Sequence, residues 1–358
     1  MNILVIGKFY TEGFALHIAE TLDSMGHALR RFEPGFASNR IGGWVGQRID
    51  QVRGVFHSTT DSLPVVRARR MRALWHVADA GPLDVVIVCH DFLWPAEVAE
   101  LKRRTGAMVA MWFPDHLGTV GRGLFMNAPY DRLFFKDPYI VQVLGDVLAS
   151  PVHYLPECFN PGKHWLSEEA IGQELAYRCD VATAGNSHAY RVSFFKHLAS
   201  YDVKQWGNHP PLWLPTGPVA KMHQGRQVLN HDKVRAFRGA KIVVNNLHFG
   251  EVWGVNVRAF EAAGAGAFQL VDWRPGLGQL FEDGREIVAF RSMKDLKALI
   301  DHWLPREDER RVIAEAGMQR AHAEHTYRHR LDLLLATLGG CDKGFPMPVI
   351  KYQVRNAG

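Results

Sequence analysis

The sequence predicts an α/β protein with two Rossmann-like, doubly wound domains, each built on a parallel sheet. Short β-branched strands alternate with helices of amphipathic spacing, which is the pattern of βαβ units. A strand, a glycine-containing loop and a helix open the chain, and the same order of elements returns after Arg178. The length of 358 residues also exceeds the size at which one hydrophobic core usually keeps growing.

The first domain begins with a predicted strand at residues 3–6 and a predicted helix at about 14–25. Gly7 and Gly13 bracket the loop between them, and His17 lies on the helix. The first loop of a doubly wound sheet lies at the edge where ligands bind. We therefore expect Gly7, Gly13 and His17 on the side of the site that belongs to the first domain.

Two further strands of the first domain, predicted at residues 85–88 and 108–112, end in the polar motifs CHDF and FPDH. Ligands of open parallel sheets bind outside the carboxyl ends of the strands, so the polar side chains of both motifs are expected to face one cleft. Carboxylates and imidazoles can act as general acids and bases, although an aspartate here can also close a turn. The catalytic candidates are His90, Asp91, Asp115 and His116.

The segment KIVVNNLHFGEVWGVNVRAFEAAGAGAFQLVD, residues 241–272, predicts a strand, an open loop, a helix and a second strand. Gly254 lets backbone amides come close to a ligand, and Asn256 stands where a helix N-cap is expected. Arg258 can reach phosphate oxygens, and Glu261, one turn into the helix, can accept hydrogen bonds from sugar hydroxyls. These groups together predict a site for a nucleotide sugar.

Proline punctuation around residues 151–161 indicates a connection between two domains. We predict an N-terminal domain at 1–155, a C-terminal domain at 156–338 and a tail without assigned structure at 339–358. In the C-terminal domain a predicted strand at 180–183 leads into a loop with Gly185 and Asn186, and then into a helix that carries Arg191. Apolar periodicity predicts three later helices, at 293–303, 307–324 and 327–338.

The net charge of +5 is unevenly distributed. Residues 1–160 carry 16 basic and 16 acidic side chains, whereas the rest of the chain carries 26 and 21. The basic excess therefore lies in the half with the predicted anion site, which favours an anionic small-molecule donor over a duplex-binding surface. The basic run VRARRMR, which contains Arg67, Arg69, Arg70 and Arg72, is interpreted as the solvated face of a helix.

The sequence contains no run of about 18 apolar residues, and its first ten residues reach Gly and Lys too soon for a secretory signal. We therefore expect a cytoplasmic protein. Its four cysteines are widely separated and match neither a disulfide framework nor a zinc motif, so buried free thiols are expected.

Four segments carry a resemblance to a known family: GVNVRAFEAAGAGAFQLVDWRPGLGQLFEDGREIVAF at 254–290, EHTYRHRLDLLL at 324–335, DVATAGNSHAYR at 180–191 and VHYLPECFNP at 152–161. Together they closely resemble the CgeB-like, spore-maturation-type glycosyltransferases, which have the GT-B fold and are related to its retaining members. The resemblance spans most of residues 150–338. Residues 1–149 are similar only in a general way, through the first βα unit and the FPDH and KDPY segments.

The resemblance implies two Rossmann-like domains that face each other across a cleft, with a nucleotide-diphosphate-sugar donor on the C-terminal domain and an acceptor on the N-terminal domain. By similarity, Gly185, Asn186 and Arg191 belong to the diphosphate loop, and Glu261 meets the nucleotide ribose. Residues 254–256 meet the phosphates or the sugar. The donor-binding residues implied are Gly185, Asn186, Arg191, Gly254, Val255, Asn256, Arg258 and Glu261.

One position departs from the family pattern. Retaining relatives often carry a first glutamate eight positions before the second, and here that position is Trp253, while Glu251 lies ten positions before Glu261. Retention is still the expected outcome. If the reaction inverts, a general base near the acceptor is needed, and His17 joins the four candidates at the strand ends.

The sequence therefore predicts a glycosyltransferase, of the hexosyl- or pentosyltransferase class, that moves a sugar from a nucleotide donor to a hydroxyl acceptor. It contains no DxD sequence, so a reaction without a metal ion or another cofactor is expected. A nucleotide-sugar 2-epimerase, which uses the same two-domain fold, and a catalytically silent nucleotide-sugar-binding protein are the alternatives. The acceptor stays open among a protein, a lipid-linked glycan, a small molecule and a nucleic acid.

Overall fold

The computed structural model describes residues 1–34, 60, 63–171, 175–341 and 344–349, and it contains two parallel sheets. The first is six-stranded, in the order β2-β1-β3-β4-β5-β6. Its strands are β1 (Asn2–Ile6), β2 (Ala28–Phe32), β3 (Val85–Val88), β4 (Met108–Phe113), β5 (Arg132–Phe135) and β6 (Val152–Tyr154). The helices of this domain are α1 (Phe14–Ser24), α2 (Pro64–Asp79), α3 (Pro95–Thr105) and α4 (Pro138–Gly145), with 3₁₀ turns at Leu117–Thr119 and Leu124–Asn127.

The central strands of this first sheet are apolar on both faces. All four residues of β3 are buried, and so are five of the six residues of β4. Strands covered on both faces read as continuous hydrophobic runs, which is why the sequence predicts them well. Helix α1 lies close to β1, because a Cβ on Gly7 would come 2.4 Å from the Cβ of Ala15.

The second sheet is five-stranded and parallel, in the order β11-β10-β9-β7-β8. Its strands are β7 (Cys179–Ala184), β8 (Val203–Trp206), β9 (Ala240–Asn245), β10 (Gln269–Asp272) and β11 (Val288–Phe290). Short helices α5 (Pro161–His164) and α6 (Glu168–Ile171) and the 3₁₀ turn Leu175–Tyr177 precede it. The other helices are α7 (Ala189–Phe195), followed by the 3₁₀ turn Lys196–Leu198, α8 (Val219–Met222), α9 (His231–Arg238), α10 (Val257–Gly264), α11 (Leu277–Leu280), α12 (Met293–Trp303), α13 (Glu307–Glu324) and α14 (Tyr327–Leu338).

Helix α14 belongs by packing to the first domain. Its apolar side chains, Tyr327, Leu331 and Leu334, are buried in the same cluster as residues of β1, β3 and α1. The predicted C-terminal domain, 156–338, included this helix, but the chain crosses back after Glu324. The apolar face of α14 thus completes the N-terminal core.

Three smaller features also differ from the sequence-based interpretation. The proline-rich connection contains β6, which pairs with β5 and forms an edge of the first sheet. Within the basic run on α2, Arg67 is buried and forms an ion pair with Glu97 at 2.6 Å, so this arginine is not part of a solvated face. In the tail, Phe345 packs edge-on against Tyr154 with ring centroids 5.4 Å apart.

The cysteine prediction is confirmed for three positions. Cys89, Cys158 and Cys179 are buried free thiols, whereas Cys341 is exposed. No helix in the described ranges has both the length and the apolar character needed to cross a membrane.

Candidate functional site

A cavity of about 370 Å³ lies between the two domains, where the carboxyl ends of strands from both sheets meet. The N-terminal domain contributes the loop after β1, the ends of β3 and β4, and α1. The C-terminal domain contributes α10 through Val257 and Glu261. The ionisable side chains that line the cavity are Lys8, Tyr10, Glu12, His17, Cys89, His90, Asp115, Glu157, Glu261 and Tyr327.

The loop after β7 brings two guanidinium groups to Gly185. This glycine has φ +131°, and a Cβ there would lie 2.6 Å from Nη1 of Arg258 and 3.0 Å from Nη1 of Arg191. Arg258 donates to the carbonyl of Ala184 at 2.9 Å, and Arg191 donates to the same carbonyl at 3.1 Å. Only glycine leaves room for these contacts in this conformation. The residues predicted at the diphosphate are thus brought together, with Asn186 next in the chain and exposed.

Neither guanidinium takes part in any ion pair found within the described ranges, although Arg191 is buried and Arg258 is half-buried. Burial lowers the pKa of Arg258 to about 10, against the attraction of Glu261 and Glu157. The side chain of Arg191 is 1% exposed, and its Nε has no hydrogen-bond partner in the described structure. Two positive charges, one buried and one half-buried, without carboxylate partners in the described ranges fit an anionic ligand.

Two asparagines at the end of β9 were not singled out from the sequence. Asn245 donates to Oδ1 of Asn256 at 3.1 Å, and Asn246 accepts a bond from Arg258 through its backbone carbonyl at 3.3 Å. Both polar atoms of the Asn246 side chain are buried and lack a partner among the described residues. The sequence signal for them is the pair of amides that directly follows the apolar run IVV.

Helix α10 begins where the sequence predicts it. Asn256 has the extended backbone of an N-cap (φ −88°, ψ 166°), but its side chain accepts from Asn245 and makes no capping hydrogen bond. Val255 is buried, and Gly254 packs against the other domain, because a Cβ there would lie 2.9 Å from the carbonyl oxygen of Lys136. The structure thus gives Gly254 a packing role between the domains, and its contact with a ligand stays a prediction.

Glu261 lies one turn into α10, is 4% exposed and lines the cavity. Its Oε1 accepts a hydrogen bond from Nζ of Lys233 at 2.9 Å, and Nε2 of His164 lies 3.6 Å away. Lys233 also binds Glu12, which belongs to the loop after β1 in the other domain. Glu261 is therefore part of a buried charge cluster that joins the two domains.

The candidates at the ends of β3 and β4 take different positions. Nε2 of His90 lies 3.4 Å from Oδ2 of Asp115, and both residues line the cavity. Burial would raise the pKa of Asp115, but the hydrogen bond from His90 and the charge of Lys136 lower it. Asp91 instead accepts hydrogen bonds from the backbone amides of Leu124 and Phe125 at 2.8 and 2.9 Å. Asp91 thereby fixes a 3₁₀ turn, and its catalytic role stays a prediction.

His116 meets a histidine of the opposite domain. Its ring is stacked on that of His248, with centroids 3.9 Å apart and an interplanar angle of 13°. His188 packs edge-on against His248, with ring centroids 5.1 Å apart. Burial, followed by the charge of His248, lowers the pKa of His188 to about 4. His248 and His188 lie in segments that the sequence analysis singled out, but they were not predicted as site residues, because the contact with His116 depends on how the two domains pack.

The predicted acceptor-side residues have mainly structural contacts. Gly7 permits the close approach of α1, and a Cβ on Gly13 would lie 2.7 Å from the carbonyl oxygen of Tyr10, so Gly13 is needed for the turn. His17 is buried, lines the cavity and lies 3.1 Å from Nδ2 of Asn160. Burial, followed by the charge of His164, lowers the pKa of His17 to about 4, which keeps the ring neutral.

A second buried charge cluster, also not predicted, joins the domains beside the cavity. Nζ of Lys136 lies 2.7 Å from Glu251 and 3.1 Å from Glu157. Asp137 accepts from the backbone amides of Val252 at 2.8 Å and of Trp253 at 3.2 Å. Glu251 thus binds a lysine of the other domain, and Trp253, at the position of the family's first glutamate, is a buried packing residue.

Three groups in the described structure are arranged so that they could hold a metal ion: Glu12, His17 and His164. The ammonium group of Lys233 already binds the Glu12 carboxylate, and His164 donates to the same carboxylate. The Glu12 carboxylate therefore already has a cationic partner, the ammonium group of Lys233. The predicted independence from metal ions stays a prediction.

Two doubly wound domains with a cleft between the carboxyl edges of their sheets define the GT-B architecture. Residues 188–336 match the model of a family described as "Glycosyl transferase-like". Solved structures with the same fold cover nearly the whole chain. A comparison with curated proteins gives no match.

Sucrose-phosphate synthase from Thermosynechococcus elongatus is similar with a TM-score of 0.63 and 12% identity, over 95% of this chain and 99% of that one. HepE from Anabaena in complex with UDP is similar with a TM-score of 0.61 and 12% identity, over 95% and 100%. A trehalose-6-phosphate structure from E. coli, bound with UDP-2-fluoro glucose, gives 0.61 and 10%, over 94% and 99%. The chain has the GT-B fold, as the sequence predicted.

Proposed function

We propose that this protein is a glycosyltransferase that moves a hexosyl or pentosyl group from a nucleoside-diphosphate sugar to a hydroxyl acceptor. The observation that carries the proposal is the pair of guanidinium groups beside Gly185, of the buried Arg191 and the half-buried Arg258. They lie at the carboxyl edge of the second sheet and have no carboxylate partner among the described residues. A diphosphate would supply the missing charge and accept several charge-assisted hydrogen bonds.

The proposed donor orientation follows from the position of Glu261. With the diphosphate at Gly185, the N-terminal end of α10 leads from the phosphates to the Glu261 carboxylate, which accepts hydrogen bonds from ribose hydroxyls. The sugar then extends into the cavity between the domains, where Asp115 and His90 lie. Two of the similar structures contain UDP or a UDP-sugar analogue, which makes uridine nucleotides the first ligands to test.

For the chemical step we propose retention without a metal ion; the resemblance to the retaining relatives of the CgeB-like group supports retention, and the absence of a DxD sequence supports independence from metal ions. The guanidinium groups stabilise the departing diphosphate, which is the role a divalent cation has in other schemes. Should the reaction invert, the pair of His90 and Asp115 has the geometry of a general base held by a carboxylate. We also propose that the protein is cytoplasmic.

A nucleotide-sugar 2-epimerase is the second candidate. This reaction needs carboxylates and a histidine that converge in one cleft, and the cavity brings together Glu12, Asp115, Glu157, Glu261 and the two histidines His17 and His90. A catalytically silent nucleotide-sugar-binding protein is the third.

One experiment separates the three functions. Purified protein is incubated with UDP-hexoses and UDP-pentoses, each with and without hydroxyl acceptors such as free hexoses and aryl glycosides, in buffer that contains EDTA. We expect release of UDP and a glycosylated product whose anomeric configuration, measured by NMR, matches that of the donor. An epimer formed from the donor alone would establish the epimerase. Binding of UDP or a UDP-sugar, with no hydrolysis, transfer or epimerisation of the sugar donor, would establish the binding protein.

A further inference from the structure

The side chain of Lys233 on α9 joins two carboxylates that are far apart in the sequence, and a histidine lies beside both. Its Nζ donates to Oε1 of Glu261 at 2.9 Å and also binds Glu12 of the other domain. Nε2 of His164 lies 3.1 Å from the Glu12 carboxylate and 3.6 Å from Glu261. All four side chains are largely buried, with between 2% and 12% of each side chain exposed.

The cluster contains two carboxylates and one lysine in a space from which water is mostly excluded. Burial would raise the pKa of Glu12, but the bonds from His164 and Lys233 hold it well below its usual range. Burial would likewise lower the pKa of Lys233, but the carboxylates of Glu261 and Glu12 raise it. His17, which also faces the cluster, stays neutral and adds no charge. The ammonium group of Lys233 therefore binds both carboxylates and, together with His164, holds the pKa of Glu12 low.

Glu12 also has an unusual backbone. Its φ of +67° lies in the left-handed region, which is costly for a residue other than glycine, asparagine or aspartate. Conformations of this kind persist where surrounding contacts fix them. Here Lys233, His164 and the backbone amide of Asn230 all bind the Glu12 carboxylate. The loop of the first domain is thus held in place by the donor domain.

We propose that Lys233 is a positioning residue of the donor site, which holds the Glu261 carboxylate in the orientation that accepts hydrogen bonds from the nucleotide ribose although Glu12 lies beside it. This inference rests on the proposed function. Lys233 acts through Glu261 and does not touch the reacting atoms. Without the lysine, two buried carboxylates would lie side by side and would retain a proton between them, as like charges at close range do. A Glu261 carboxyl that shares this proton is a poorer acceptor for the ribose hydroxyls.

Two consequences separate this role from a merely structural one. The loss caused by removing the lysine must depend on the ribose hydroxyls, because Glu261 is their acceptor. It must also depend on the Glu12 charge, because Glu12 is the second carboxylate. If the loss of Lys233 only loosened α9, every nucleotide would bind more weakly by the same factor. That loss in affinity would also simply add to the loss caused by any substitution at Glu12.

The test measures the dissociation constants of UDP and 2′,3′-dideoxy-UDP by calorimetry. The proteins are the wild type, Lys233→Met, Lys233→Arg, Glu12→Gln and the double variant Glu12→Gln/Lys233→Met. For Lys233→Met we expect UDP to bind roughly tenfold more weakly or worse, the size of one lost charge-assisted hydrogen bond, while dideoxy-UDP changes by less than about threefold. Lys233→Arg should restore most of the affinity for UDP, and the double variant should bind UDP more tightly than Lys233→Met alone.

Equal losses for the two ligands, or a double variant weaker than Lys233→Met, would overturn the positioning role. Thermal unfolding checks that each variant is folded. If Lys233→Met does not fold, the double variant is compared with Glu12→Gln instead, and a larger loss in affinity for UDP than for 2′,3′-dideoxy-UDP again supports the positioning role. A wild-type protein that binds neither UDP nor another nucleoside diphosphate contradicts the proposed function itself, and with it the role of Lys233.

Discussion

At the scale of single residues, the two arginines beside Gly185 have different surroundings. Arg191 is fully buried, donates to Thr183 and Ala184, and lies over the ring of Phe195 with Cζ 5.5 Å from the centroid. Arg258 is half-buried, and among the described residues it donates to the backbone carbonyls of Ala184 and Asn246. Arg191 therefore supports the end of β7 as well as the anion site, whereas Arg258 has the more available guanidinium group.

We predict that Arg258→Met weakens the binding of UDP far more than the binding of uridine. The lost interactions are charge-assisted hydrogen bonds to phosphate, worth about 1.5–3 kcal/mol, so UDP should bind roughly tenfold to a hundredfold more weakly. Calorimetric titration with both ligands checks this. The control is Arg285→Met, which removes an exposed arginine paired with Glu282 and should leave both affinities unchanged. Equal losses for UDP and uridine would place the arginine away from the diphosphate.

The ionisable residues of the site illustrate the limit of sequence reasoning. Glu261, Arg258 and Gly185 could be predicted, because each belongs to a local strand, glycine loop and helix pattern. Lys233 and Glu12 lie 221 positions apart and share no local motif, so only the fold brings them together. The same holds for the stack of His116 on His248, whose partners come from different domains.

At the scale of secondary-structure elements, the central strands and the long helices were predicted best. Strand β3 and helices α12 to α14 have the predicted bounds, because apolar runs or helical periodicity mark them and cap residues such as Ser292 and Thr326 define the starts of α12 and α14. Strands β2 and β8 were not predicted. Both lie at the edge of a sheet, and their sequences ALRRF and VKQW mix polar and apolar residues.

The loop between β9 and α10 is an element that the other domain holds in place. Glu251 of this loop binds Lys136 at 2.7 Å, and Glu157 lies 3.1 Å from the same ammonium group. Burial raises the pKa of Glu157 to about 8, against the attraction of Lys136, and the Glu251 charge raises it further. At neutral pH Glu157 is therefore mainly a neutral acid beside Lys136.

We predict that Glu251→Gln destabilises the protein only modestly, because Glu157 can ionise in its place. The double variant Glu251→Gln/Glu157→Gln leaves Lys136 buried without a carboxylate partner in this cluster and should lose about 3–5 kcal/mol, the usual cost of breaking a buried ion pair. Urea unfolding at pH 7 measures both losses. If the two single losses simply add to that of the double variant, Glu157 does not substitute for Glu251.

At the scale of the whole molecule, the chain crosses between the domains at His325, between α13 and α14. Nε2 of His325 lies 2.7 Å from the carbonyl oxygen of Leu280, and Nδ1 lies 2.9 Å from the guanidinium group of Arg330. Arg330 in turn donates to the carbonyl of Pro156 in the first connection between the domains. The neutral ring of His325 thus ties together both segments that link the domains.

This arrangement predicts that acid weakens the folded protein. Burial, followed by the charge of Arg330, lowers the pKa of His325 to about 3, whereas an unfolded histidine titrates near 6.5. As the pH falls below about 6.5 the unfolded chain binds a proton that the folded chain refuses, so the free energy of unfolding decreases. Between pH 5.5 and 4.5 the contribution of one such group approaches about 1.4 kcal/mol per pH unit. His325→Asn should be less stable at pH 7. Over pH 5.5 to 4.5 its free energy of unfolding, measured by urea unfolding, should fall less steeply with decreasing pH than that of the wild type, by about this amount. An unchanged slope would mean that His325 is already protonated in the folded state.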